Sequence, residues 1–246
     1  MRQPKDRLIF ALDVPDRAEA ERYLQLLKAE VGLFKVGLEL FVAEGPAILQ
    51  FLAESYGVEY FLDLKFHDIP ATVRRAQARV LPGARLATVH VDSGREILKA
   101  GGEVKLLGVT LLTHLGPEDL AAMGLAREYV QNPTKLVLLR ARLAQEAGCD
   151  GVVCAGSEAR AVKEACGPDF LVVCPGIRPA GAAVAGDDQR RITTAYEAIK
   201  AGADYLVVGR PIRTAADPVA AARKIVQEIA AGLKDREPIM SGRGFA

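Results

Sequence analysis

Short apolar segments alternate with longer amphipathic segments along the entire chain. Eight of the apolar segments are rich in Val, Leu, Phe and Tyr, and they predict β-strands at residues 8–14, 33–38, 60–65, 86–91, 106–112, 151–154, 170–175 and 205–209. The segments between them predict helices near residues 16–29, 44–56, 70–80, 94–101, 135–147, 157–166, 193–201 and 217–232. This alternation is typical of parallel βαβ units.

Eight strand and helix pairs in 246 residues predict a (β/α)8 barrel that forms a single domain over residues 1–246. A doubly wound open sheet is the alternative, but it usually has a glycine-rich turn after its first strand. Here that strand ends in Ala-Leu-Asp-Val-Pro. The least regular stretches are residues 113–134 and 179–194. The second has six Ala or Gly in its first eight residues, which fits either a lid over a ligand or an ordinary surface loop.

Composition narrows the possible partners. Lys and Arg number 32 against 31 acidic residues, so no overall field favours nucleic acid or an anionic membrane. No apolar stretch approaches the roughly 20 residues that span a bilayer, and the first residues lack the apolar segment of a signal peptide. A cytoplasmic protein is therefore expected. The cysteines at 149, 154, 166 and 174 have no C-x-x-C spacing and fit buried, reduced thiols.

Three charged residues follow one another closely at the end of the third predicted strand. Asp63 and Lys65 are two residues apart, so on a strand they share a face, and Asp68 follows in the next loop. A salt bridge at the rim of the barrel is the simpler interpretation. If the shared face points into a cavity, the carboxylates instead favour the ammonium form of Lys65. An ammonium in that position could deliver a proton to a carbanion.

Polar residues also occur at the ends of other predicted strands. In a barrel these ends surround the active site, and the last two strands often hold phosphate. Pro-Gly-Ile-Arg at residues 175–178 and Val-Gly-Arg-Pro at 208–211 place a glycine and an arginine at each of them. Glycine lets backbone N–H groups approach an anion, and arginine donates two parallel hydrogen bonds. The sequence therefore predicts a phosphorylated small ligand.

Six blocks, in order along the chain, resemble the orotidine 5′-phosphate decarboxylase family of the bacterial type. They are 11–13 (Ala-Leu-Asp), 34–37 (Phe-Lys-Val-Gly), 63–72 (Asp-Leu-Lys-Phe-His-Asp-Ile-Pro-Ala-Thr), 174–179 (Cys-Pro-Gly-Ile-Arg-Pro), 188–189 (Asp-Gln) and 203–212 (Ala-Asp-Tyr-Leu-Val-Val-Gly-Arg-Pro-Ile). The turn at 91–94, Val-Asp-Ser-Gly, departs from the Ala-x-Gly-Gly-like turn usual in the family. The resemblance implies decarboxylation of orotidine 5′-monophosphate to uridine 5′-monophosphate in pyrimidine biosynthesis.

The resemblance also implies a role for each matching residue. Asp13 and Lys35 would bind the ribose hydroxyls, and Asp63 and Lys65 would face the substrate carboxylate and C6. Thr113 would lie beside the base and Pro175 on its apolar side. Phosphate would be held by Arg178, Gln189, Gly209 and Arg210. Asp68, with Ile69 and Thr72, would reach into the active site of the second subunit of a homodimer.

In this interpretation Lys65 protonates C6, Asp63 crowds the carboxylate, and Lys35 and Asp68 keep the charges balanced. No cofactor motif is visible, and histidines 67, 90 and 114 have no metal-ligand spacing. Three alternatives stay open: a keto-sugar-phosphate decarboxylase that uses Mg²⁺, a Schiff-base aldolase, and a catalytically silent phosphate-binding barrel. EDTA treatment, borohydride trapping and incubation with orotidylate would distinguish them.

Overall fold

The computed structural model describes residues 3–80, 83–99, 103–179 and 191–239. Eight parallel strands form a closed barrel in which each strand pairs with the next and the eighth pairs with the first. The strands are β1 (Leu8–Ala11), β2 (Leu33–Val36), β3 (Tyr60–Phe66), β4 (Ala84–His90), β5 (Lys105–Val109), β6 (Gly151–Val153), β7 (Leu171–Cys174) and β8 (Tyr205–Val208). The predicted (β/α)8 barrel is thus confirmed, with each predicted strand present.

Helices surround the barrel. They are α1 (Arg17–Leu27), α2 (Leu38–Glu44), α3 (Ala47–Gln50), α4 (Pro70–Gln77), α5 (Pro117–Ala122), α6 (Arg127–Gln131), α7 (Pro133–Ala147), α8 (Ala159–Cys166), α9 (Ala195–Lys200), α10 (Arg210–Arg213) and α11 (Pro218–Lys234). Among the described residues, no helix combines the length and the apolar character needed to cross a membrane.

The strands are buried on both faces. Leu8 and Phe10 of β1 belong to the large cluster between barrel and helices, whereas Ile9 and Ala11 belong to the smaller cluster inside the barrel. This alternation follows from the two-residue repeat of a strand. It also directs Asp13, two residues beyond Ala11, toward the interior at the carboxyl end of the barrel.

Three predictions outside the strands need correction. Residues 94–99 form turns rather than the start of a helix, because Gly94 has a φ of 92° and the buried Ile97 and Leu98 are adjacent rather than one helical turn apart. The helix predicted over 44–56 is present from residue 47, as α3 and a π-helical turn at Phe51–Ser55 that continues it, and the separate helix α2 precedes it. The irregular stretch 113–134 contains α5, which begins with Pro117, and α6.

The cysteines behave as predicted. All four are buried free thiols, and burial raises the pKa of Cys149 to about 12 and that of Cys166 to about 11. A thiol with so high a pKa is rarely a thiolate at neutral pH and is therefore a poor nucleophile.

Candidate active site

Four alternating charges form a row at the carboxyl ends of β1, β2 and β3. The Lys35 Nζ lies 2.8 Å from Asp13 Oδ1 and 3.7 Å from Asp63 Oδ2. The Lys65 Nζ lies 3.0 Å from the same Asp63 oxygen. Asp13, Lys35, Asp63 and Lys65 therefore form one continuous network, which we call the charge network.

Burial and charge act in opposite directions on the two central members of this network. Burial alone would lower the pKa of Lys35 and raise that of Asp63, since each ion loses solvation. The neighbouring charges outweigh burial: Asp63 and Asp13 raise the pKa of Lys35 above its ordinary value, and Lys35 and Lys65 lower the pKa of Asp63 below its own. Both groups are consequently charged near pH 7.

Gly37 leaves the space that the charge network occupies. A Cβ atom at this position would lie 2.8 Å from Lys35 Nζ and 3.1 Å from Asp13 Oδ1. Either the side chain or the ion pair would then have to move. A larger residue at position 37 would therefore disturb the ion pair of Lys35 with Asp13 as it stands.

The backbone of Lys65 is strained. Its φ of 53° is the only positive φ of a non-glycine residue among the described residues, and this left-handed conformation costs about 1–2 kcal/mol. The pairing of β3 with β4 explains where the strain arises. Leu62 pairs with Ala87 and Phe66 with Val89, so four steps along β3 match only two along β4. Lys65 lies in the bulge that results.

A cavity of about 610 Å³ opens at this end of the barrel, a volume within the usual range for small-molecule sites. Nine of the residues predicted from the sequence line it: Asp13, Lys35, Asp63, Lys65, Thr113, Pro175, Arg178, Gly209 and Arg210. The barrel brings them together because residues at the ends of all eight strands converge on its axis.

Three guanidinium groups line the cavity in addition to the charge network. They belong to Arg178, which is buried and donates to the Ile177 carbonyl at 2.8 Å, to Arg210 and to Arg213. In all, the cavity is lined by five cationic side chains and three carboxylates, the third carboxylate being that of Glu39. The excess of two positive charges matches the charge of an ionised phosphate monoester.

Four predicted residues do not line the cavity of this single chain or cannot be placed. Asp68 is exposed, and its Oδ1 accepts a hydrogen bond of 2.6 Å from the Ile69 backbone N–H. Ile69 is 66% exposed, and Thr72 lies in the first turn of α4. Gln189 lies outside the described residues. Asp68 and its neighbours therefore face outward beside the site.

Several residues at the site were not predicted from the sequence. Arg213 follows Arg210 by three residues, so one helical turn brings both to the cavity, and this spacing could have identified it. Leu38, Glu39 and His114 also line the cavity. Thr88 of β4 is fully buried and contacts both Asp63 and Lys65. No motif marked Thr88, because its contacts depend on the bulge in β3.

A buried ion pair links the chain after residue 190 to the segments that follow β5 and β6. The guanidinium of Arg191 pairs with the buried Glu158 and donates hydrogen bonds to the carbonyls of Leu111 (3.0 Å) and Leu112 (3.1 Å), both of which line the cavity. Two residues later, the Thr193 carbonyl accepts from the Arg178 backbone N–H at 3.0 Å. Arg191 thus links the segment that pairs with Arg178 to the chain that follows β5 and β6.

Replacing Arg191 with Gln is expected to lower the free energy of unfolding by about 3 kcal/mol near pH 7, because Glu158 would be left as a buried, unpaired charge. Burial already raises the pKa of Glu158 despite Arg191. Without Arg191, Glu158 would bind a proton more readily in the folded than in the unfolded protein. The decrease in the free energy of unfolding should therefore grow as pH rises and shrink toward pH 4. Urea unfolding of R191Q at several pH values measures this.

The matched control is Arg160→Gln, which breaks the exposed pair between Arg160 and Glu164 at 2.7 Å. An exposed pair contributes little, so R160Q should change stability by less than about 1 kcal/mol at any pH. Equal losses in the two variants would contradict the assignment of Arg191 as a buried brace.

A family model, relatives in sequence and a solved structure all point to one protein family. The family model described as "Orotidine 5′-phosphate decarboxylase / HUMPS family" matches residues 6–225. Relatives named orotidine 5′-phosphate decarboxylase include those of Desulfosudis oleivorans, 48% identical over 240 residues (95% of this chain, 96% of the relative), and Anaeromyxobacter sp. strain K, 49% identical over 237 residues (94% and 100%). The crystal structure of the Lactobacillus acidophilus orotidine 5′-phosphate decarboxylase is similar with a TM-score of 0.76 and 34% identity, covering 90% of this chain and 98% of that one.

Proposed function

The chain belongs to the orotidine 5′-phosphate decarboxylase / HUMPS family, and from that premise we propose that it converts orotidine 5′-monophosphate to uridine 5′-monophosphate in de novo pyrimidine biosynthesis. One observation carries the proposal: a single cavity is lined both by the charge network and by three arginines. A substrate with a carboxylate and a phosphate fits that distribution of charge. The proposal includes a cytoplasmic location, which suits a biosynthetic enzyme.

In the proposed complex the phosphate is held by Arg178, Arg210 and the Gly209 backbone, together with Gln189. The ribose hydroxyls bind Asp13 and Lys35. The pyrimidine ring lies against Pro175 and Thr113, which brings its C6 carboxylate to Asp63 and Lys65. The members of this set that the structure describes all line one cavity, which supports the placement.

Lys65 performs the central step of the proposed mechanism. When the bond between C6 and the carboxylate breaks, CO₂ leaves and the electron pair stays on C6 as a carbanion. A fixed ammonium about 4 Å away stabilises that charge by on the order of 4 kcal/mol at an effective dielectric near 20. The same ammonium then transfers a proton from Nζ to C6. The Asp63 carboxylate lies 3.0 Å from that Nζ.

One ammonium is not sufficient for a slow reaction, because each 1.36 kcal/mol gives only about a tenfold rate increase. The rest is supplied by binding the phosphate and ribose, which orients the base. Asp63 also repels the substrate carboxylate in the ground state, and Lys35 balances its charge. The ammonium makes the larger contribution, because it interacts with the charge that develops only in the transition state.

The proposal includes a homodimer with shared active sites. Asp68 and Ile69 are exposed at the side of the site in the single chain, and Ile69 is among its few large, strongly exposed apolar side chains. Contact with a second subunit would cover Ile69 and bring Asp68 to the partner's Lys65. This arrangement would place a second carboxylate beside the ammonium.

The direct test is incubation with orotidylate while the change in absorbance on formation of uridylate is followed. We expect turnover that is unaffected by EDTA. Turnover of a keto-sugar phosphate that EDTA abolishes would instead indicate a Mg²⁺-assisted decarboxylase on the same barrel. Absence of turnover with both substrates would indicate a binding protein.

Replacing Arg210 with Ala is expected to weaken binding of uridine 5′-monophosphate about 100-fold, because charge-assisted hydrogen bonds to phosphate are lost. Isothermal titration calorimetry measures the Kd. Uridine, which lacks the phosphate, should bind the variant and the parent protein equally. Arg160→Ala, an exposed change on α8, is the control and should alter neither Kd. Unchanged affinity of R210A for the nucleotide would remove Arg210 from the phosphate site.

A further inference from the structure

Thr88 connects the two reacting side chains of the charge network from behind. Its side chain is fully buried on β4, two residues after the interior residue Leu86. The hydroxyl Oγ1 accepts a hydrogen bond of 2.9 Å from the backbone N–H of Lys65 and donates one of 3.0 Å to Asp63 Oδ1. An N–H can only donate and an ionised carboxylate can only accept, so both partners fix the direction of the hydroxyl hydrogen.

The bulge in β3 makes this hydroxyl necessary. Between the pairs Leu62 with Ala87 and Phe66 with Val89, β3 contains two more residues than β4, so the regular ladder is interrupted. A backbone N–H at such an interruption needs an acceptor from outside the ladder when it is partly buried. Thr88 supplies an acceptor from its side chain instead. The bond holds Lys65 in the left-handed conformation that it adopts.

We infer that Thr88 is a positioning residue that sets the approach of the Lys65 ammonium to its target and the orientation of the Asp63 carboxylate; this role rests on the proposed decarboxylase function. Thr88 lies behind both side chains and does not line the cavity. It therefore acts on the reaction through Lys65 and Asp63. A misplacement of about 1 Å at a reacting group can cost about 100-fold in rate.

The experiment compares Thr88→Val, which keeps the shape and removes the hydroxyl, with Thr88→Ser, which keeps the hydroxyl. We expect T88V to lower kcat for orotidylate about 100-fold while the Kd for uridine 5′-monophosphate changes less than about threefold, because phosphate and ribose contacts are untouched. T88S should restore kcat to within about threefold of the parent, since the same two hydrogen bonds can form.

The matched control is Thr110→Val. Thr110, which directly follows β5, is also buried, and its hydroxyl donates a hydrogen bond to the Val153 carbonyl at 2.8 Å. Loss of a buried hydroxyl bond there should lower stability as T88V does, yet leave kcat within about twofold. If T88V and T110V lower kcat equally, or T88V leaves kcat unchanged, Thr88 has no positioning role.

A crystal structure of T88V decides the geometric part independently of turnover. We expect Lys65 to leave the left-handed region or its Nζ to move beyond 4 Å from Asp63 Oδ2. An unchanged φ and an unchanged ion pair would overturn the inference. If the parent protein does not decarboxylate orotidylate, the proposed function fails in the activity assay, while this comparison still shows whether Thr88 positions Lys65.

Discussion

Replacing Lys65 with Ala is expected to lower kcat for orotidylate by about 10⁵-fold or more. The variant loses an ammonium that contributes about 4 kcal/mol, close to 10³-fold, and a proton donor of a kind that contributes about 10²- to 10⁴-fold. Binding of uridine 5′-monophosphate should weaken by less than about tenfold, because the product has no charge at C6. Stopped-flow or absorbance assays give kcat, and calorimetry gives the Kd.

Two comparisons make this result interpretable. Lys105→Ala removes an exposed lysine at the first position of β5, at the opposite end of the barrel from the cavity, and should leave turnover unchanged. A Lys65→Ala protein that retains its uridylate affinity is correctly folded, so its inactivity can be assigned to the missing ammonium. Turnover within about tenfold of the parent would show that C6 is protonated by another group.

The strand ends of the site could be predicted because they depend only on local pattern. An apolar run of four to seven residues predicts a strand, the two-residue repeat predicts Asp63 and Lys65 on one face, and the barrel then brings such residues together around its axis. In the structure the two side chains do meet, with Lys65 Nζ 3.0 Å from Asp63 Oδ2. In contrast, the left-handed backbone of Lys65 depends on the register between β3 and β4, and no pattern within either strand encodes that register.

Contacts between segments distant in sequence were likewise not predictable. Thr88 forms hydrogen bonds with two residues of another strand, and Arg191 donates hydrogen bonds to carbonyls about 80 positions earlier in the chain. Each is an ordinary polar residue until the fold places it. The helix predicted over 94–101 is absent from residues 94–99, and residues 100 and 101 lie outside the described residues. Ile97 and Leu98 are buried, but adjacent burial is compatible with a turn as well as with a helix. Hydrophobic content without periodicity does not define an element.

The charge states of the site depend on both the sequence and the fold. The sequence predicts which charges are present, but the balance between them depends on distance and burial. Burial would raise the pKa of Asp63, but Lys35, Lys65 and the Thr88 hydroxyl together lower it, and Lys35 and Thr88 do so from different strands. A carboxylate in the same sequence without these partners would bind a proton on burial and could not favour the ammonium of Lys65.

Mixing a Lys65→Ala protein with an Asp68→Ala protein is expected to restore activity, although each alone is nearly inactive. If every site combines Lys65 of one subunit with Asp68 of the other, a heterodimer contains one intact site and one doubly damaged site. Random exchange of subunits makes half of the dimers heterodimers, so about one quarter of the parent activity should return. The activity of the mixture, measured after subunits have exchanged in dilute urea, tests this.

The decisive control mixes Lys65→Ala with Asp63→Ala. Asp63 and Lys65 of the same chain form an ion pair at 3.0 Å, so they belong to one site, and a heterodimer of these two variants has no intact site. No activity should return in this mixture. Recovery with Asp68→Ala but not with Asp63→Ala therefore assigns Asp68, and Asp68 alone of the two carboxylates, to the partner's site. Recovery in neither mixture would mean that each subunit works with its own residues, and that the exposed Asp68 and Ile69 have another purpose.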